Sequence, residues 1–280
     1  MGSNEQYDIV GDVHGMAATL RSLLDMLGYE RSRGHYRHPE GRRLVFVGDI
    51  IDRGPDPLGC LDLVASLVDR GEALMILGNH ELNAMHYMHE PPLREHSEKN
   101  SKQFRSTLHQ IEAEPERWPQ ALAFLSSLPT RLELDGGALR IIHACWDEEN
   151  LRHLPERIDT PELLRRTAAG GDLIDAVETC LKGPEEPWEP YIDKNGFRRD
   201  RRRIPWWLDH PREAPLTVFG HYWFPWRPEE GIGVTPETPR LLGSGGNAAC
   251  VDYSVGRGGP LVALRYPELE FVAAPNLDLP

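Results

Sequence analysis

Six short apolar runs in this sequence end on residues that bind metals or move protons. "YDIV" leads into GDVHG, with Asp12 and His14; "RRLVFV" into GDIIDRGPD, with Asp49, Asp52 and Arg53; "ALMIL" into GNHE, with Asn79 and His80. Later, His143 follows "LRII", His221 follows "LTVFG", and Asp252 and Tyr253 follow "AACV". A lone Gly-Asp pair is ordinary turn punctuation. The recurrence is not, because Asp12 and His14 flank one residue between two glycines and Asn79 and His80 follow Gly78 directly. Asp12, His14, Asp49, Asn79, His143 and His221 make an oxygen and nitrogen donor set without thiolate, which suits manganese, iron, zinc or nickel. They are too many for one ion. Two divalent cations roughly 3.5 to 4 Å apart, sharing a carboxylate, would use them all, and that arrangement serves phosphoester hydrolysis.

Such a set converges only if the strand ends converge. Open α/β sheets bind ligands where strands stop and loops begin. Between the first runs, Met16, Leu20, Leu23, Leu24 and Leu27 follow helical spacing up to Gly28, and Leu58, Leu61, Val64 and Val68 do so up to Gly71. The alternation of strand and helix predicts an α/β sheet with parallel neighbours. Residues 85 to 135 are expected to be an insertion, helical to about residue 130. Residues 150 to 212 read as a second insertion, with two helical pieces and a charged, Pro-rich surface excursion. From Leu216 strands resume without helices, so two mixed sheets flanked by helices are expected, in a single domain over residues 1–280.

The 280 residues carry 40% hydrophobic and 27% charged side chains and a net charge of −13. That acidity argues against general nucleic-acid or anionic-membrane binding. No apolar run approaches the ~20 residues of a membrane span. The start, MGSNEQYD, has neither a basic nor an apolar segment, which points to a cytoplasmic location. Cys60, Cys145, Cys180 and Cys250 show no CxxC spacing and are expected to be free thiols.

GDVHG, GDIIDRG and GNHE, in that order, resemble the signature blocks of the calcineurin-like metallophosphoesterases, and the DRG and GNHE forms resemble the phosphoprotein phosphatase branch. VFGH at 218–221 is similar to the late His motif, and VDYSVGRGGPLVALRYPE to the end of bacterial diadenosine tetraphosphatases and polynucleotide phosphatases. Two positions depart from the pattern: Cys145 stands where the family has Gly, and DYS replaces DTG. The resemblance implies Asp12 and His14 on a first metal, Asp49 bridging, and Asn79, His143 and His221 on a second, with manganese foremost. A bridging water, made acidic by both cations, would attack phosphorus as hydroxide. His80 would protonate the leaving oxygen, kept protonated by Asp52, and Arg53 would clamp phosphate bidentately. Asn79 and Tyr253 are further candidates for contact with substrate.

The expected activity is that of a Ser/Thr-phosphatase-like phosphoesterase acting on a phosphoprotein or nucleotide, with diadenosine tetraphosphate hydrolysis as the alternative. An inactive phosphate-binding scaffold would show lost ligands, and none is lost here. Asp252 reads as a residue that orients His221 or caps a turn. Cys145 reads as inert packing, and Trp206 and Trp207 as loop anchors. His86, His89 and His109 are expected to be structural or surface residues. In FRRDRRR, residues 197–203, at least one arginine is a candidate to reach substrate anions over the metals.

Overall fold

The computed structural model describes residues 5–32, 34–192, 196, 198–226 and 238–279. Its first half alternates strand and helix: β1 (Tyr7–Val10), α1 (Ala17–Leu27), β2 (Glu30–Ser32), β3 (His35–Arg37), β4 (Arg43–Phe46), α2 (Pro57–Asp69), β5 (Ala73–Met75). Three helices follow, α3 (Asn79–Tyr87), α4 (Glu98–Ala113) and α5 (Trp118–Ser127), then β6 (Arg131–Leu134) and β7 (Leu139–Ile142). Next come α6 (Pro161–Arg166), α7 (Asp172–Lys182), β8 (Glu185–Ile192) and β9 (Arg198–Arg203). The chain ends with β10 (Leu216–Phe219), β11 (Ala248–Cys250), β12 (Leu261–Tyr266) and β13 (Glu270–Ala274).

Two mixed sheets form the sandwich. One has the order β13-β12-β1-β4-β5, parallel across β1, β4 and β5; the other has the order β11-β10-β7-β6, parallel across β11, β10 and β7. Successive side chains of a strand point to opposite faces, and both faces here are apolar. Ile9, Val45 and Val47 meet Ile141, Val218 and Val251 between the sheets. Val10, Leu44 and Phe46 pack outward under α1 and α2 with Leu20, Leu24, Leu61 and Val64. This double burial explains why these strands read as continuous apolar runs rather than alternating ones.

α1 stops on the glycine cap the sequence places there, whereas α2 ends at Asp69, with Arg70 and not Gly71 as its cap. Gly28 ends α1 in the left-handed conformation, and the Asp56 side chain accepts from the Gly59 amide at the start of α2. Trp206 and Trp207 anchor their loop, as expected: Trp206 Nε1 donates to the Ala144 carbonyl at 2.9 Å, and Trp207 stacks on Phe219. The four cysteines are free and buried. Among the described residues no helix is long and apolar enough to cross a membrane.

Two expectations need correction. The segment read as an insertion to residue 135 ends earlier, because β6 is an edge strand of the second sheet, antiparallel to β7. The charged excursion is an antiparallel hairpin of β8 and β9. Pro187 and Pro190 and the run of arginines hid it, since its strands are cross-linked by charge rather than by apolar alternation: Arg201 pairs with Glu185 and Arg202 with Glu186, and Arg202 lies over the Trp188 ring at 3.2 Å. Phe197 lies outside the described residues.

Candidate metal centre

The loops after β1, β4, β5, β7 and β10 meet at one end of the sandwich, and Asp12, His14, Asp49, Asn79, His143 and His221 are all buried there. The glycines of the motifs are required by crowding. A Cβ on Gly48, at φ 98°, would lie 2.5 Å from Gly78 Cα, and one on Gly220 would lie 2.1 Å from Asp12 Oδ1. Any side chain there would push the loops apart. His14, Asp49, Asp52, Arg53 and His221 all have positive φ, between 48° and 73°. Non-glycine residues rarely adopt this conformation, and it concentrates where geometry serves function.

His14 and His143 are each aimed by their second nitrogen. His14 Nδ1 donates to the Ile51 carbonyl at 3.0 Å, which leaves Nε2 buried, 3.9 Å from Asp49 Oδ2 and with no hydrogen-bond partner among the described residues. His143 Nδ1 donates to the Val47 carbonyl at 2.7 Å, turning Nε2 toward Asp49 Oδ1 at 3.3 Å and Asn79 Oδ1 at 3.0 Å. Both ring nitrogens of His221 are buried and likewise unsatisfied. Fixing one nitrogen on a carbonyl to present the other is how proteins orient metal-binding histidines. Two triads have donor atoms within 4.8 Å of one another: His14, Asp49 and His80, and Asp49, His143 and His221. Asp49 belongs to both, as a bridging carboxylate must. Orphaned imidazole nitrogens around one shared carboxylate fit two cations.

Asp12 stands apart from both triads. Its carboxylate accepts from the His221 amide at 3.2 and 3.3 Å, and burial, with Asp252 and Asp49 nearby, raises its pKa well above the usual range. Asp49 behaves oppositely. Burial pushes its carboxyl up, but the imidazoles of His143, His80 and His14 outweigh that and hold it well below the usual range.

His80 differs from the other histidines. Its Nδ1 lies 2.5 Å from Asp52 Oδ2, and its backbone amide donates to Asp49 Oδ1 at 2.9 Å. Asp52 is itself fixed by Thr107 on α4, whose hydroxyl donates to Oδ1 at 2.5 Å and accepts from the Asp52 amide at 3.0 Å. Sequence reasoning missed Thr107. It lies 55 positions from its partner inside an insertion, and no motif marks it. It also missed Glu81, which the last letter of GNHE signals: its carboxylate accepts from the amides of Asp49, Ile50 and Gly78 at 2.8, 2.8 and 3.1 Å, tying two loops together. Burial and the neighbouring Asp49 raise the Glu81 pKa to about 7.

Arg53 lies over the Trp223 ring at 3.9 Å with its Nε buried and unbonded among the described residues, and burial lowers its pKa to about 10. Arg257 approaches the same ring at 4.3 Å. From FRRDRRR, Arg203 reaches inward: its Nη1 donates to the His221 carbonyl at 3.0 Å. Asp252 accepts from the amides of Trp223 and Ser254 at 2.6 and 2.9 Å, so it shapes the turn after His221 rather than touching the imidazole. Tyr253 is buried edge-on against Phe224, 5.7 Å between ring centroids, and no hydrogen bond joins it to the histidine cluster among the described residues. Cys145 is buried, and burial raises its thiol pKa, as inert packing requires.

A model of the calcineurin-like phosphoesterase family matches residues 7–222. The chain is 31% identical over 282 residues to bis(5'-nucleosyl)-tetraphosphatase (asymmetrical) PrpE of Halalkalibacterium halodurans, covering 97% of this chain and 94% of that protein. It is 31% identical over 272 residues to the protein of the same name from Geobacillus thermodenitrificans, covering 96% and 94%. The cold-active protein-tyrosine phosphatase of a psychrophilic Shewanella shares the fold, with a TM-score of 0.58, 19% identity and coverage of 97% of this chain and 81% of that one. With the match spanning the loops that carry all six donors, the chain belongs to the calcineurin-like phosphoesterase family and is a phosphoester hydrolase.

Proposed function

We propose that this enzyme hydrolyses dinucleoside polyphosphates of the diadenosine tetraphosphate type, using two divalent cations, manganese foremost. One observation carries the choice of substrate. In a chain of net charge −13, three guanidiniums cluster at the site: Arg53 and Arg257 against Trp223, and Arg203 at His221. A polyphosphate chain matches several clustered cations better than a single phosphoryl group does. Relatives covering nearly the whole chain bear the name tetraphosphatase, which agrees.

His14, Asp49, His143 and His221, with Asp12 and Asn79, would hold the cations. When bound, divalent cations supply Lewis-acid polarisation of the phosphoryl group and acidify water. The remaining work falls to side chains. His80 directs its Nε2 into the site because Asp52 occupies Nδ1, and so it holds the proton needed by the leaving oxygen. Asp52 holds the His80 ring through Nδ1, and Thr107 fixes Asp52. Arg53, stacked on Trp223, presents a planar fork to the phosphate oxygens.

The test is hydrolysis of diadenosine tetraphosphate, a phosphopeptide and an aryl phosphate by metal-stripped protein reconstituted with manganese, zinc, nickel or magnesium. Chelation should abolish activity, manganese should restore it best, and kcat/KM should be greatest for the tetraphosphate. Preference for the phosphopeptide would move the assignment to a phosphoprotein phosphatase. Full activity without metal would refute the two-cation reading.

A further inference from the structure

Arg94, in the segment joining α3 to α4, holds its guanidinium against three neutral oxygens. Nη1 donates to Asn83 Oδ1 at 2.8 Å, and Nη2 to Asn100 Oδ1 at 2.9 Å and Gln103 Oε1 at 3.2 Å. Among the described residues no carboxylate forms an ion pair with it. Side-chain amides satisfy hydrogen bonds without neutralising the charge. Three anchors also fix the fork in one orientation, and Nε–H and one Nη1–H remain unused by them.

The position of this cation is set by the residues that hold the proton donor. On α3, Asn83 lies about one turn beyond Asn79 and His80. On α4, Asn100, Gln103 and Thr107 follow i, i+3, i+7 spacing and so share a face. Thr107 fixes Asp52, and Gln103, about one turn earlier, fixes Arg94. Both helices therefore carry the guanidinium on the residue next along from the His80–Asp52 pair. The oxygen that departs from phosphorus is the one His80 can protonate, so a cation carried next to the His80–Asp52 pair would face the departing side of a bound substrate.

We propose that Arg94 is an anion subsite for the leaving group, binding a second phosphate of a polyphosphate chain beyond the bond that is cut. A phosphomonoester has no phosphate on that side, so the subsite selects polyphosphates. The natural occupant rests on the dinucleoside polyphosphate reading; the chemistry itself requires only linked phosphates. Partial burial lowers the Arg94 pKa, with Asp52 and then Glu178 opposing, which agrees with a cation placed near Asp52.

The experiment uses the metal-loaded enzyme turning over an aryl phosphate, with inorganic tripolyphosphate and orthophosphate as inhibitors and the free metal concentration buffered. In the wild type tripolyphosphate should inhibit more tightly than orthophosphate. Arg94→Gln should raise the tripolyphosphate Ki by about 10- to 100-fold, the size of one charged hydrogen-bonded contact, with a much smaller change for orthophosphate. Arg94→Lys, which keeps the charge and loses the fork, should recover part of that affinity. Equal shifts for both inhibitors, or no rescue by lysine, would make Arg94 a structural staple between α3 and α4 and overturn the subsite. Should Arg94→Gln not fold, Asn100→Ala, which removes one anchor, gives the same comparison of two Ki values. A wild type that leaves diadenosine tetraphosphate uncut but shows the tripolyphosphate shift refutes the dinucleoside reading and keeps the subsite. Cleavage without the shift does the reverse.

Discussion

Replacing Thr107 with valine should impair proton donation while leaving the metal centre intact. The Thr107 hydroxyl makes two bonds to one residue, accepting from the Asp52 amide at 3.0 Å and donating to Asp52 Oδ1 at 2.5 Å. The other carboxylate oxygen, Oδ2, faces His80 Nδ1 at 2.5 Å, so whatever moves Asp52 moves the imidazole. Asp52 also sits at a φ of 73°, a conformation that needs such bonds to persist. Valine fills nearly the same volume but leaves a buried amide unpaired and takes one donor from a carboxylate. Losing a hydrogen bond to a charged acceptor costs about 1.5–3 kcal/mol. If that loss falls on the transition state, kcat drops roughly 10- to 150-fold, at about 1.4 kcal/mol per tenfold. The assay compares kcat on an alkyl phosphate, whose leaving oxygen needs a proton, with kcat on a nitrophenyl phosphate, whose leaving oxygen does not. The alkyl ester should lose the whole factor and the aryl ester little. Metal content should stay at the wild-type level, and Thr107→Ser, which retains the hydroxyl, should recover most of the rate. Equal losses on both esters, or loss of metal, would show that α4 supports the metal loops and not the proton donor.

Removing the donor itself sets the ceiling for that effect: His80→Ala should retain both metals and lose roughly 10²- to 10⁴-fold on poor leaving groups, measured with the same pair of esters and metal analysis. A variant lacking metal would instead make His80 a ligand, as its place in a triad with His14 and Asp49 allows. His86 predicts a pH dependence of stability. It is buried against Thr167, with Nε2 2.8 Å from Oγ1, and burial lowers its pKa from 6.5 to about 4. Because the folded value lies below the unfolded one, the neutral imidazole's contribution is complete above pH 6.5 and is lost as pH falls toward about 4. Between pH 7 and pH 5 denaturant unfolding should show His86→Gln losing about 1–2 kcal/mol less stability than the wild type, and parallel curves would refute it.

The sheet core was legible because its strands are buried on both faces. Apolar residues dominate there, and four of the six runs end on a glycine that lets two loops touch, as Gly48 and Gly78 do. The amphipathic helices α1 and α2 were legible for the same reason, with one stripe under one sheet. The hairpin of β8 and β9 was not, since its cross-strand pairs are Glu–Arg contacts and a strand stabilised that way carries no hydrophobic period. Nor was β6, whose side chains are only half-buried at the sheet edge.

For the site, the division follows what local chain geometry can encode. Residue type and its place just after a strand singled out Asp12, His14, Asp49, Asn79, His143 and His221 as candidate ligands, because a loop at the end of a parallel strand has one direction in which to deliver a side chain. The identity of the supporting residues depended on packing between elements far apart in sequence. Thr107 reaches Asp52 across 55 positions, Arg94 is held by two helices, and Arg203 turns inward from its arginine run to His221. No local signal separates Arg203 from Arg201, which shares its face of β9, or from Arg202 on the opposite face; what lies beneath the strand at each position decides. The sequence by itself determined the chemistry available at the strand ends; the tertiary structure decided which distant side chains hold that chemistry in place, because those contacts exist only once α4 and the hairpin pack against the loops.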